Sequence, residues 1–358
     1  MRWHDRRLLD LFGIEHPILQ APMAGASSPQ MAIGASEAGG LGSIASAMLT
    51  PGTLRAELQL VQQGTGRPIN VNFFVHKDPV PDAAREAGWR RRLEAYYREF
   101  GLAPDAGREA GTRSPFTAAL CDVVLEYKPR VVSFHFGLPD AALVRRLRDA
   151  RILVISSATT AEEARWLEGQ GCDAVIAQGN EAGGHRGMFM TDDIARQAGT
   201  MALVPQVVDA VNVPVIAAGG IGDGRGIAAA LALGAAGVQI GTAFLLAPEA
   251  KTSALQRAAL KQANDNSTTL TNVFTGRPAR GIVNRYVREV GPMSADTPQF
   301  PLALGASQPL RSAAEAKGSP DFTPLWSGQA PTFAREMPTA ALIARLVAET
   351  EAVVKRLA

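Results

Sequence analysis

The chain is poor in cysteine, in excess charge and in long apolar runs, and each shortage removes a class of function. Only Cys121 and Cys172 occur among 358 residues. Neither stands in a CxxC or any metal-ligand spacing, so no disulfide is expected, and buried thiols in a reducing compartment are. The 36 Lys and Arg are interspersed with 34 Asp and Glu, leaving a formal charge of +2. No electrostatic footprint for nucleic acid or an anionic membrane results, and a small-molecule partner is expected instead. No apolar run approaches the roughly 20 residues that span a bilayer. The N-terminal Met1-Arg-Trp-His-Asp-Arg-Arg leads into a short mixed run, Leu8-Leu-Asp-Leu-Phe-Gly, without the apolar core or cleavage site of a signal peptide. A cytoplasmic location is therefore expected. No HExxH or other His-rich spacing is present, so no metal site is expected either.

What the chain does have is an ordinary globular composition, 46% hydrophobic and 20% charged, and a rhythm. Eight short, nearly continuous apolar runs recur, the pattern of parallel strands buried on both faces: 17–20, 40–45, 68–74, 130–136, 152–156, 173–178, 213–218 and 237–241. Helix signals lie between them. Ser28-Pro29 and Thr50-Pro51 pair an N-cap with proline at the first helical position, and Thr160-Ala-Glu-Glu163 reads as a capping box. Leu54, Leu58 and Val61 line one helical face, as do Leu143, Val144 and Leu147. Eight strands with seven intervening helices predict a TIM (β/α)8 barrel over 1–250. A doubly wound open sheet typically has fewer strands and a nucleotide fingerprint that is missing here. A charged helical insertion is expected at about 76–128. Residues 251–358, rich in Pro, Gly and Ser before an amphipathic helix at 339–357, are expected to form a smaller subdomain over the active site.

In such barrels the chemistry sits at the carboxyl ends of the strands. The sixth run ends in Gln178-Gly-Asn-Glu-Ala-Gly-Gly-His185-Arg-Gly187, where glycines let the backbone approach a ligand and Gln178 and His185 offer side-chain chemistry. An ordinary strand-to-helix turn is the plain alternative for that stretch alone. The other ends are similar in kind: Gln20-Ala-Pro-Met-Ala-Gly25, Asn70-Val-Asn72 and His135-Phe-Gly137. Amides, histidines and glycines converge, while acids, lysine and cysteine are scarce, which disfavours paired-carboxylate hydrolysis and thiol chemistry. The seventh and eighth runs lead into Gly219-Gly220-Ile-Gly-Asp-Gly and Gln239-Ile240-Gly241-Thr242, the two loops where barrels place phosphate. Neither GxGxxG nor GxxxxGK spacing is met. Phosphate there, with amides at Asn72 and Gln178 and backbone N–H groups at Ala21, Pro22 and Met23, suits flavin mononucleotide (FMN) across the barrel mouth.

Together these motifs resemble the nitronate monooxygenases, formerly 2-nitropropane dioxygenases, over nearly the whole chain, and most of all their class I branch. Related enoyl-acyl carrier protein reductases and NADH:quinone reductases share the Glu-Ala-Gly-Gly-His stretch, so His135-Phe136-Gly137 and Gln178-Gly179 carry the distinction. The resemblance implies FMN bound by Ala21, Pro22, Met23, Asn72, Gln178, Gly183, Gly219, Gly220, Gln239, Ile240, Gly241 and Thr242. It implies oxidation of alkyl nitronates by O₂ to carbonyl compounds and nitrite, through one-electron transfer and an anionic flavin semiquinone, without NAD(P)H. Propionate 3-nitronate, a toxin, is the implied substrate, and a monomer or homodimer the expected assembly. His185 matches the family's catalytic histidine, the base that takes the α-proton of a neutral nitroalkane, and an imidazole is poised for that task. His135 is expected as a second polar contact over the flavin. His4, His16 and His76 fall outside this set and are expected to be structural or exposed. Phe300 stands where family members often carry tyrosine. An FMN-dependent NAD(P)H reductase is the competing activity, and a phosphate-binding isomerase or lyase a more distant one.

Overall fold

The computed structural model describes residues 3–107 and 115–357. Its strands are β1 (Ile18–Gln20), β2 (Gly42–Ala45), β3 (Ile69–Phe74), β4 (Val131–His135), β5 (Leu153–Ala158), β6 (Ala174–Gln178), β7 (Gly184–His185), β8 (Val215–Ala218), β9 (Gly237–Ile240), β10 (Thr268–Thr271) and β11 (Ala279–Ile282). Eight of them form one parallel sheet in the order β1-β9-β8-β6-β5-β4-β3-β2. Leu41 closes it, donating its N–H to Ile18 O at 3.0 Å and accepting from Gln20 N at 2.9 Å. The predicted TIM barrel is therefore the fold.

Alternation of side chains across each strand explains why the runs read as continuously apolar. One set, including Leu19, Ile155, Ile176 and Ile216, packs in the barrel interior with Leu8, Leu9 and Phe12 of the N-terminal helix, which stoppers the amino-terminal end. The other set, including Ile44, Val71, Val132, Val175 and Val238, packs outward under the helices. Caps start those helices as expected. Ser28 Oγ accepts from Met31 N at 3.1 Å, and Thr50 and Thr53 form a reciprocal capping box. At Thr160 only half of the box forms. Thr160 Oγ1 accepts from Glu163 N, but the Glu163 carboxylate turns to Thr159 N and Oγ1 and to the N–H groups of Phe189 and Met190. Four donors on a fully buried carboxylate outweigh one cap bond.

Two segments lie differently from their sequence-based boundaries. The helix Ala118–Tyr127, counted with the insertion, packs between the helices Pro51–Gly64 and Ala141–Asp149 and so belongs to the barrel's own ring. Only the helix Ala83–Phe100 stands apart, its Trp89, Leu93 and Tyr97 packed with Tyr286, Leu310 and Phe322 of the C-terminal region. Residues 108–114 of the expected insertion lie outside the described residues. The closing helix Thr339–Leu357 takes the eighth ring position, between the helices Gly224–Ala232 and Pro29–Glu37. Gly224 permits that contact, since a Cβ there would sit 2.3 Å from the backbone of Glu349. Between these ends, β10, β11 and β7 make a small antiparallel sheet that ties the segment after the barrel to the β6 loop. Its register pairs Ala279 with His185 and Arg280 with Gly184.

Candidate active site

A cavity of about 360 Å³ opens at the carboxyl ends of the barrel strands, within the usual size for a small-molecule site. Ala21, Pro22, Met23, Asn72, His135, Gln178, Gly183, His185, Gly219, Gly220, Gln239, Gly241 and Thr242 all border it. Ile240 does not. Strand alternation sends its fully buried side chain outward into the helix-facing core, while Gln239 and Gly241 on either side face the cavity.

The donors expected from Ala21, Pro22 and Met23 are already engaged. Ala21 donates its N–H to Ile240 O at 2.8 Å, Met23 donates to Ser27 Oγ at 2.9 Å, and proline has no N–H. This segment therefore contributes wall. Asn72 donates through Nδ2 to Ser133 Oγ at 3.0 Å, and its Oδ1 takes no bond among the described residues. Gln239 Oε1 is buried with no hydrogen-bond partner among them. At the two glycine loops, Gly219 and Gly220 have φ of 118° and 70°, a left-handed backbone that favours glycine. The N–H groups of Gly220 and Thr242 make no bond to another described residue.

Gln178 and His135 shape the position of His185. Gln178 donates through Nε2 to His185 O and accepts from Gly187 N, at 3.0 and 2.7 Å. His135 Nε2 lies 3.0 Å from the same carbonyl and must donate to it; its Nδ1 lies 3.0 Å from Ser157 Oγ and accepts that hydroxyl's proton. Both ring nitrogens of His135 are thus committed, which fits an anchoring task better than the direct flavin contact expected from sequence. The strand end that carries it is strained. Phe136 has φ of 76°, followed by Gly137 at 100°, and a bulky residue there costs on the order of 1–3 kcal/mol. Ser156 Oγ pins the reversal by reaching the carbonyls of Phe134 and Gly137, and the Arg277 guanidinium stacks 3.9 Å over the Phe136 ring.

The His185 ring is boxed by aromatics: Phe300 at 5.4 Å, Trp326 at 5.5 Å, Phe74 at 5.9 Å and Phe136 at 6.1 Å between centroids. Its Nε2 lies 3.0 Å from Thr275 Oγ1. Thr275 and Arg277 come from the turn between β10 and β11, and no motif in that turn marks them in the sequence. His76, expected outside the site, does not line the cavity, but it is buried with its ring 4.8 Å from Phe300, because β3 ends directly beneath the box. Three arginines surround the β6 loop, Arg186 and Arg280 buried and Arg277 half-buried. Arg186, fully buried, grips the carbonyls of Gln178 and Gly179 and the Gln197 side chain, and Arg280 reaches Asn180 O. Burial pulls Arg186 and Arg277 down to about 10 and lowers Arg280 as well.

Burial also pushes His135 down to about 4, and the Arg277 and Arg186 charges act in the same direction. An unfolded histidine titrates near 6.5. Between that value and about 4, falling pH protonates the unfolded chain but not the folded one, so stability is lost as pH falls through this window. Above pH 6.5 the group contributes nothing. The loss is at most about 3 kcal/mol, since His135 keeps an edge on the cavity. Urea midpoints at pH 7 and pH 4.5 are expected to differ less for His135→Gln than for the wild type; equal differences would contradict a His135 held neutral between Ser157 and the His185 carbonyl.

Fold and cavity together define a (β/α)8 barrel whose mouth is lined by amides, glycines and an aromatic-boxed histidine. The chain belongs to the nitronate monooxygenase family, whose model matches residues 5–349, and is an oxidoreductase. It is 44% identical to a nitronate monooxygenase of Pseudomonas aeruginosa over 96% of this chain and 98% of that one. With a nitronate monooxygenase of Paraburkholderia phytofirmans it shares 41% identity over 98% and 97%. Among solved structures, a nitroalkane oxidase from Streptomyces ansochromogenes superposes with a TM-score of 0.89 at 40% identity, covering 98% of this chain and all of that one. FabK from Thermotoga maritima superposes with a TM-score of 0.76 at 32% identity, over 98% and 97%. No helix among the described residues is long and apolar enough to cross a membrane.

Proposed function

We propose that the protein oxidises alkyl nitronates with O₂ to the carbonyl compound and nitrite, using FMN held across the barrel mouth, with propionate 3-nitronate as its physiological substrate. The observation that carries the cofactor reading is the set of unused polar groups around one cavity. The N–H groups of Gly220 and Thr242, in the two loops where barrels hold phosphate, are open to a ligand, and the buried Gln239 Oε1 has no partner among the described residues. Asn72 Oδ1 adds an acceptor on the opposite side, and Gly183 and Gly219 leave the wall bare of side chains. A phosphate-bearing, hydrogen-bonding ring cofactor matches that inventory, so these residues fit FMN. When bound, FMN supplies redox capacity that amide and imidazole side chains lack.

The protein's own residues do the rest. With a neutral nitroalkane, His185 takes the α-proton, the C–H electron pair moves into the nitro group, and the nitronate forms beside an imidazolium. With a nitronate already ionised, no proton needs to be removed, and a protonated His185 pairs with its charge. Gln178 and His135 fix the His185 backbone through its carbonyl. Phe74, Phe136, Phe300 and Trp326 exclude water from the ring, which strengthens charge interactions inside.

Heat denaturation of purified protein is expected to release about one FMN per chain. A colourless, phosphorus-free preparation that takes up no flavin would overturn the cofactor reading. A reductase using NAD(P)H is the second reading, favoured by the extent of the FabK superposition. The His135-Phe136-Gly137 and Gln178-Gly179 motifs and the higher TM-score and identity of the Streptomyces ansochromogenes nitroalkane oxidase support the first.

A further inference from the structure

Thr275 is almost fully buried in the turn between β10 and β11, outside every motif that marks the site in the sequence. The turn is locked. Gly276 has φ of 88°, and a Cβ on it would strike Pro298 O, while its N–H is held by Asn272 O at 2.8 Å. Thr275 Oγ1 faces three groups: His185 Nε2 at 3.0 Å, Arg277 O at 3.3 Å and Arg277 N at 3.4 Å. A hydroxyl has one proton to give and two lone pairs to receive with.

Only one arrangement satisfies all three. If the Thr275 proton goes to Arg277 O, the hydroxyl accepts from Arg277 N–H and from a proton on His185 Nε2. If it goes to His185 Nε2 instead, the half-buried Arg277 O keeps no partner among the described residues, and the turn loses the bond that closes it. The first arrangement places the His185 proton on Nε2 and the lone pair on Nδ1. We propose that Thr275 is a positioning residue that fixes this tautomer of His185, so that Nδ1 is the nitrogen that receives the substrate's α-proton.

The inference rests on the reading of His185 as the base. In the step it describes, the substrate C–H bond breaks, its electron pair delocalises onto the nitro oxygens, and an N–H bond forms at Nδ1. The Nε2–H to Thr275 bond persists in the imidazolium, so nothing rotates during transfer.

The test has two arms. In protein labelled with ¹⁵N-histidine, with the His185 signals identified by their loss in His185→Asn, two-bond ¹H–¹⁵N correlations report the neutral tautomer directly. Nε2–H is expected, and Nδ1–H would overturn the proposal without any variant having to fold. Thr275→Val is then expected to lower kcat/KM for a neutral nitroalkane at least tenfold more than for its nitronate, and Thr275→Ser to restore the ratio. A wild-type ratio in Thr275→Val would overturn it as well. Failure of the base reading shows separately, as a nitroalkane rate that survives His185→Asn.

Discussion

His185→Asn is expected to lower kcat/KM for a neutral nitroalkane by about 10²–10⁴-fold, the usual contribution of a positioned general base, while the corresponding nitronate loses far less. Asparagine is small enough for the aromatic box, and its amide falls near the Nδ1 position of the ring, short of Thr275. It has no nitrogen that accepts a proton near neutral pH, so only the deprotonation step is removed. The four rings that box it, Phe74, Phe136, Phe300 and Trp326, carry no base, and both nitrogens of His135 are occupied by Ser157 and the His185 carbonyl. The diagnostic quantity is the ratio of the two rates measured on one preparation, since misplacement of the substrate would depress both. Equal losses on both substrates would remove His185 from its role as base.

Gly183→Ala is expected to weaken FMN binding by about 5- to 150-fold, the equivalent of the roughly 1–3 kcal/mol that an overpacked contact costs. A Cβ on Gly183 would lie 2.5 Å from Gly328 N and 2.6 Å from the backbone carbon of Ser327. Both are main-chain atoms and cannot swing aside as a side chain does. The segment they belong to is bolted down by Gly328 N–H to Thr242 Oγ1 at 2.9 Å and by Gln329 N–H to Glu181 O at 3.0 Å. The added methyl must therefore push the β6 loop or the loop carrying Trp326, and Gly183, Thr242 and Trp326 all line the cavity. Gly169→Ala is the control, because a Cβ there meets nothing within 4 Å. Flavin fluorescence titrations of the two variants measure the difference. A Gly183→Ala protein that binds FMN like the wild type would mean the contact at this junction is not needed.

The barrel was readable in the sequence because its strands are buried on both faces and its helices carry their own caps, so period and punctuation agree at Ser28, Thr50 and Thr160. The cavity residues on strand ends were readable for the same reason: Gln178, Asn72 and the glycine pairs interrupt apolar runs where only a ligand-facing position tolerates it. What sequence could not place depends on long-range contact. Ile240 sits between two cavity residues, but alternation turns it away. The N–H groups of Ala21 and Met23 are taken by Ile240 and Ser27, which only the closed barrel brings to them. Thr275 and Arg277 reach the β6 loop through the pairing of β11 with β7, a ladder of two residues too short to leave a pattern. The closing helix at Thr339–Leu357 looked like an appendage because nearly a hundred residues separate it from β9, yet it completes the ring.

Anaerobic mixing of the purified flavoprotein, first with NADH and NADPH and then with propionate 3-nitronate, tests the central claim most directly through the visible flavin bands. The account predicts that the pyridine nucleotides leave the bands unchanged, that the nitronate changes them at once, and that admitting O₂ restores them with release of nitrite. Rapid bleaching by NADH or NADPH, with no response to the nitronate, would contradict it and assign this barrel mouth to a reductase.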